Sequence, residues 1–139
     1  MIFEDQCNAA RTSNLLLGLC LEFPSSEWEV FEPEYLGFAS EAEYDARAIK
    51  IAKHQWAFLL SSGELQRFIA ENAIGFDWTD LRMLHDGREI LYLQNVDSAK
   101  WYGKTDDVNV MRFLDACGLS NSGLADLPFP PWSRLSCKG

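Results

Sequence analysis

The dipeptide Asp86-Gly87, set between two strings of alternating residues, constrains this chain more than any other feature. A two-residue hairpin turn needs positive φ at both central positions, and Asp-Gly is a favoured pair for it. Counting outward, His85 faces Arg88, Met83 faces Ile90 and Leu81 faces Tyr92. One side of the hairpin 81–93 then collects Leu81, Met83, Ile90 and Tyr92 as an apolar patch. A short helix from Thr79 ending at Gly87 is the competing reading.

A second hairpin is expected upstream. Residues 14–23 are apolar at nearly every position, Pro24-Ser25-Ser26 reads as a turn, and Glu27-Trp28-Glu29-Val30 alternates as a half-buried strand does. The pattern supports a hairpin from 15–23 to 27–31, with a short buried helix over 14–23 as the alternative.

Helices follow from caps. Ser40-Glu41-Ala42-Glu43 fits a capping box, and Ile49, Ala52, Trp56 and Leu59 recur behind it at helical spacing, with Arg47, Lys50, Lys53 and His54 on the other side. Ser61-Ser62-Gly63-Glu64 ends that helix and caps another, in which Leu65, Phe68 and Ile69 form the buried stripe. A last helix runs from about Asp106 to Cys117, with Thr105 as cap, Val110, Met111, Phe113, Leu114 and Cys117 as apolar face, and Gly118 beyond its end. Strands and helices do not alternate as βα repeats. The expected fold is therefore α+β: a single domain over 1–139, with an antiparallel sheet of about four strands in two hairpins against two to three helices. From about residue 120 the chain reads as an irregular tail with Pro128, Pro130 and Pro131. Its Phe129 and Trp132 are expected against the core, with a polyproline ligand as the alternative.

Hydrophobic residues make up 47% of the chain and aromatics 13%, enough for a core and too apolar for disorder. No run reaches the ~18–20 apolar residues of a spanning helix, so no membrane is expected. The start Met1-Ile2-Phe3-Glu4-Asp5 is acidic where a secretory signal is basic. Cys7, Cys20, Cys117 and Cys137 form no CxxC pair and read as reduced thiols in a cytoplasmic protein.

The net charge of -9 is lopsided: residues 1–45 hold ten acids against Arg11 alone, and the remainder holds eleven of each sign. Glu41, Glu43 and Asp45 are accounted for by the helix dipole. Glu27, Glu29, Glu32 and Glu34 are not, and they interleave with Trp28, Phe31 and Tyr35. This interleaving points to a non-enzymatic, acidic protein-binding module. Glu27, Trp28, Glu29, Glu32, Glu34 and Tyr35 would meet a basic protein surface, Trp28 as anchor and the glutamates as rim. An inhibitor of the immunity or anti-defence type is the expected kind, and separated charge patches also permit a homodimer. The bland alternative is a solvated strand face whose charges block aggregation.

A second function class is a small-molecule-binding domain or minor enzyme, with an aromatic pocket between sheet and helices drawn from Trp56, Asp77, Trp78, His85, Tyr92 and Trp101. No catalytic residue, cofactor or metal site is assigned. Phosphate-binding loops and EF-hand loops are absent, and the cysteines, His54 and His85 lack metal-ligand spacing. The overall acidity opposes nucleic-acid binding.

Overall fold

A computed structural model describes residues 1–132; Cys137 and the tail beyond 132 lie outside the described residues. The strands are β1 (Ile2–Gln6), β2 (Glu27–Phe31), β3 (Tyr35–Leu36), β4 (Ile49–Ala52), β5 (Gln55–Ser61), β6 (Ile74–Gly75), β7 (Asp80–His85), β8 (Arg88–Val96) and β9 (Lys100–Lys104). The helices are α1 (Ala9–Glu22), α2 (Glu41–Arg47), α3 (Ser62–Ala70) and α4 (Val108–Ala116). Seven strands form one sheet in the order β1-β9-β8-β7-β2-β5-β4, and β3 pairs with β6 apart from it. Neighbours in the large sheet run antiparallel. The fold is α+β as expected, but the sheet has seven strands rather than about four.

Three differences separate this sheet from the expected one: one strand is lost and four are gained. The 15–23 arm of the first expected hairpin is helical: Asn8 caps α1 by accepting the Arg11 N–H, and Thr12, Leu15, Leu16, Leu19 and Cys20 form its buried stripe. Gly18 faces the Phe113 ring of α4 at a distance where a Cβ would collide, so α1 and α4 approach closely. The Ser40 helix, second, stops at Arg47. Its expected continuation is the hairpin β4–β5, turning at His54 with φ 60°. The i, i+3, i+7 spacing of Ile49, Ala52 and Trp56 is outweighed by a period of two in β5, where Phe58 and Leu60 enter the core beside Val30 and Trp28. Third, residues 2–6 and 100–104 pair as β1 and β9.

The Asp86-Gly87 turn is present, with φ of 51° and 76° and His85 opposite Arg88. A bulge between Met83 and Leu84 then moves the register by one, so Met83 faces Leu91 and Leu81 faces Leu93. Tyr92 is thereby sent to the other face of the sheet. Ser61 and Glu64 cap α3 reciprocally, and Asp107 rather than Thr105 caps α4.

The register sorts every strand into two faces. One carries Phe58, Val30, Leu81, Leu93, Gly103 and Phe3 in a row, with Leu60, Trp28, Met83 and Leu91 beside them. The buried stripes of α1, α3 and α4 close over this face in a single apolar cluster. Phe3 lies over Gly103, the one residue in that row that leaves room for its ring.

Candidate functional site

Alternation places a different set of side chains on the outer face. Row by row it carries Phe31, Asp80, Gln94 and Tyr102, then Glu29, Arg82, Tyr92 and Lys104. Such residues normally face water. Here Glu29, Arg82, Tyr92 and Gln94 are each no more than 2% exposed, because residues 127–132 cross over them.

Arg82 is the hub. Its guanidinium bonds Glu29 at 2.9 Å, Glu89, and the carbonyl of Trp132 at 2.9 Å, while the rings of Phe31 and Tyr92 flank it at 5.1 Å each. A buried guanidinium persists only with this degree of pairing, and removing one partner from such a set typically costs about 3–5 kcal/mol. Beside it the Tyr92 hydroxyl donates to Asp80 at 2.7 Å. Burial pushes the Asp80 carboxyl up to about 6, against the lowering effect of Tyr92, Gln94 and Arg82. Burial and the neighbouring Asp80 also raise the Tyr92 phenol.

Two hollows adjoin this face and its far end. A cleft of about 790 Å³ opens between the outer face, the start of α4 and the tail, and Arg82, Arg88, Tyr92, Lys104, Asp107 and Trp132 line part of it. A smaller groove near the start of α1 contains Cys7, whose sulfur accepts a bond from Asn95 at 3.1 Å. Among the described residues no His/Cys/Asp/Glu cluster could hold a metal ion, and no helix is long and apolar enough to cross a membrane.

The six residues expected to bind a partner do not form one surface. Trp28 is fully buried on the helix-covered face, its indole N–H bonded to Ser26, so it cannot serve as an exposed anchor. Glu29 is buried against Arg82 and cannot serve as a rim charge. Glu27 is exposed at one end of β2; Glu34 and Tyr35 are exposed beyond its other end. Glu32, half-buried, accepts the Trp56 N–H through its carboxylate.

Nor do the six residues of the expected aromatic pocket converge. Trp101 is buried in the core with its indole N–H on Thr12, while Trp56 lies on β5 and is 38% exposed. Asp77 borders the Cys7 groove and bonds Ser98. Trp78 packs edge-on against Phe129 of the tail. His85 sits at the hairpin tip with Nε2 3.6 Å from Asp86. Only Tyr92 lines the large cleft.

Asp80, Arg82 and Gln94 were missed because polar residues alternating with Leu81, Met83, Leu91 and Leu93 resemble a solvated face, and Glu89 reads as part of the hairpin tip. The available signal was the pair Phe129 and Trp132 downstream, which need an apolar surface to lie on. No protein-family model matches this chain, and no curated protein or solved structure matches it.

Proposed function

We propose that this protein is a non-catalytic binding module of the cytoplasm, and that it presents an acidic surface to a basic protein, as an inhibitor of the immunity or anti-defence type does. The surface differs from the one read in the sequence. It consists of Glu32, Glu34 and Tyr35 after β2 together with Glu41 and Asp45 of α2. One observation supports this grouping: besides burial, both Glu32 and Asp45 raise the phenol of Tyr44, so the loop and the helix share one electrostatic neighbourhood. Arg47, the base within α2, is committed to Glu64 through two bonds of 2.8 and 3.0 Å. Glu34, Glu41 and Asp45 are exposed and make no ion pair among the described residues, and Tyr35 is 47% exposed next to Glu34, the two also lining the groove that contains Cys7. An unbalanced field of this sort raises the rate of encounter with a positive partner and weakens with salt.

The test compares the wild-type chain with Glu34→Lys/Glu41→Lys/Asp45→Lys as baits in native lysate, washed at low and at high salt. A basic protein held by the wild type at low salt and lost by the variant is expected. Equal capture by both baits overturns the assignment.

The 790 Å³ cleft favours a second reading, a small-ligand site, because its size falls within the usual range for ligand pockets. Its lining mixes both charges, so the fitting ligand is polar rather than aromatic. A small molecule co-purifying with the wild type and lost in Lys104→Glu would favour this reading over the first.

A further inference from the structure

The tail is held in a way that a mere cover does not require. Pro128, Pro130 and Pro131 have no N–H, so Phe129 and Trp132 supply the only amide donors between 128 and 132. Both are met by the sheet: the Phe129 N–H by Gln94 Oε1 at 3.3 Å, the Trp132 N–H by the Tyr92 hydroxyl at 2.8 Å. The same two residues have their carbonyls met, Phe129 by Gln94 Nε2 at 2.8 Å and Trp132 by Arg82 Nη2 at 2.9 Å. All four bonds therefore read peptide backbone, two residues by two donors and two acceptors, and none reads a side chain.

The reading groups are set by contacts inside the sheet rather than by the tail. The Tyr92 hydroxyl donates its hydrogen bond to Asp80, which leaves a lone pair of that oxygen for the Trp132 N–H. Glu29 and Glu89 orient the Arg82 guanidinium. Two rings complete the site: Trp132 lies parallel to Phe31 with centroids 6.1 Å apart, and Phe129 meets Trp78 edge-on at 5.7 Å. Trp78 itself has φ 56°, a left-handed conformation that is costly for a bulky residue, and it is 49% exposed. Phe129 is 47% exposed.

We infer that the outer face of the sheet is a binding site for an extended aromatic–Pro–Pro–aromatic peptide of a partner protein, and that residues 127–132 occupy it in cis as a built-in competitor. Prolines suit the site twice over. They hold the segment extended before binding, and they remove three amide donors that would each need a partner once covered. A partner segment of this pattern makes the same four backbone bonds; the rings against Phe31 and Trp78 select it. The inference is independent of the acidic surface, which lies on α2 and the loop after β2.

The experiment uses the full chain and a synthetic, N-acetylated and C-amidated peptide of residues 127–132. Binding is followed by NMR through the chain's own Trp132 backbone amide, which leaves the Tyr92 hydroxyl for water when the peptide displaces the tail. The wild type is expected to bind weakly, since a tethered segment competes at an effective concentration in the millimolar range. Phe129→Ala, a change at a half-exposed ring that leaves the fold intact, is expected to bind the peptide about tenfold more tightly because its own tail competes less well. Tyr92→Phe in that background is expected to abolish the gain. Absence of Trp132 amide shifts in both chains at several millimolar peptide overturns the inference. So does a Phe129→Ala chain that takes up a second copy's tail, seen as a dimer by light scattering, because the occupant is then the protein itself.

Discussion

The two faces of the large sheet are made by the same strands, one residue out of step, and they are closed by opposite physics. The helix-covered face joins Trp28, Val30, Phe58, Leu81, Met83 and Leu93 to the stripes of three helices, a contact that is non-directional and broad. The outer face is closed by six residues of tail through four directed backbone bonds and two ring contacts. Losing the first closure unfolds the domain. Losing the second uncovers a mixed face, in which Glu29, Arg82 and Gln94 stand among Ile2, Phe31 and Tyr92. Most of the stability resides on one side of the sheet, and the proposed exchange of peptides belongs to the other.

That contrast can be broken or sharpened by substitution. Trp28→Ala should have the largest effect, about 3–5 kcal/mol in a urea unfolding curve, because a large buried side chain is replaced by a cavity. Arg82→Met should lower stability by about 3 kcal/mol by stranding Glu29. The double variant Arg82→Met/Glu29→Leu should recover most of that loss, a result that would show the pair serving recognition more than stability. No recovery would place the outer face on the same footing as the inner.

Asp80→Asn should reveal a smaller, pH-dependent term. Burial holds the folded Asp80 at about 6, above its ordinary value, so the folded state binds the proton more tightly than the unfolded state. The contribution is fully present below the unfolded value and is lost as pH rises through about 6. Relative to Asp80→Asn, the wild type should therefore lose on the order of 1–3 kcal/mol between pH 4 and pH 7 in paired melts. Phe129→Ala should cost least, about 0.5 kcal/mol globally, while hydrogen exchange at the Trp132 amide accelerates. A global loss as large as that of Trp28→Ala would make the tail part of the core and remove the contrast.

Local signals in the sequence carried the turns and caps. Asp86-Gly87, the capping box at Ser61 and the Ser40 cap occur where their chemistry placed them, because each is satisfied by backbone a few residues away. The misread segments are those settled by distant partners. Residues 49–61 match a helix in spacing, yet β2 offers residues 57–61 a ladder of five residue pairs, and β4 adds to the far side of β5. Leu17 and Leu21 hid the stripe of α1, since Leu21 is 71% exposed and adds apolar character on the wrong side. In the candidate site, Tyr92 faces the tail only because a bulge at 83–84 shifts the register by one residue, and nothing in the local sequence marks that bulge.

The sheet order also imposes a schedule. Strand β2 finds β5 and β7 within the first two thirds of the chain, whereas β1 must wait for β9, its single neighbour, about a hundred residues later. Closure entropy makes so long a loop one of the later contacts to form, and synthesis from the N-terminus delays it further. Ile2 and Phe3, both buried at the end, stay uncovered through most of translation. Of the described strands, β1 precedes all the others in the chain and is among the last to be covered, so its apolar residues stay exposed longest as the sheet assembles.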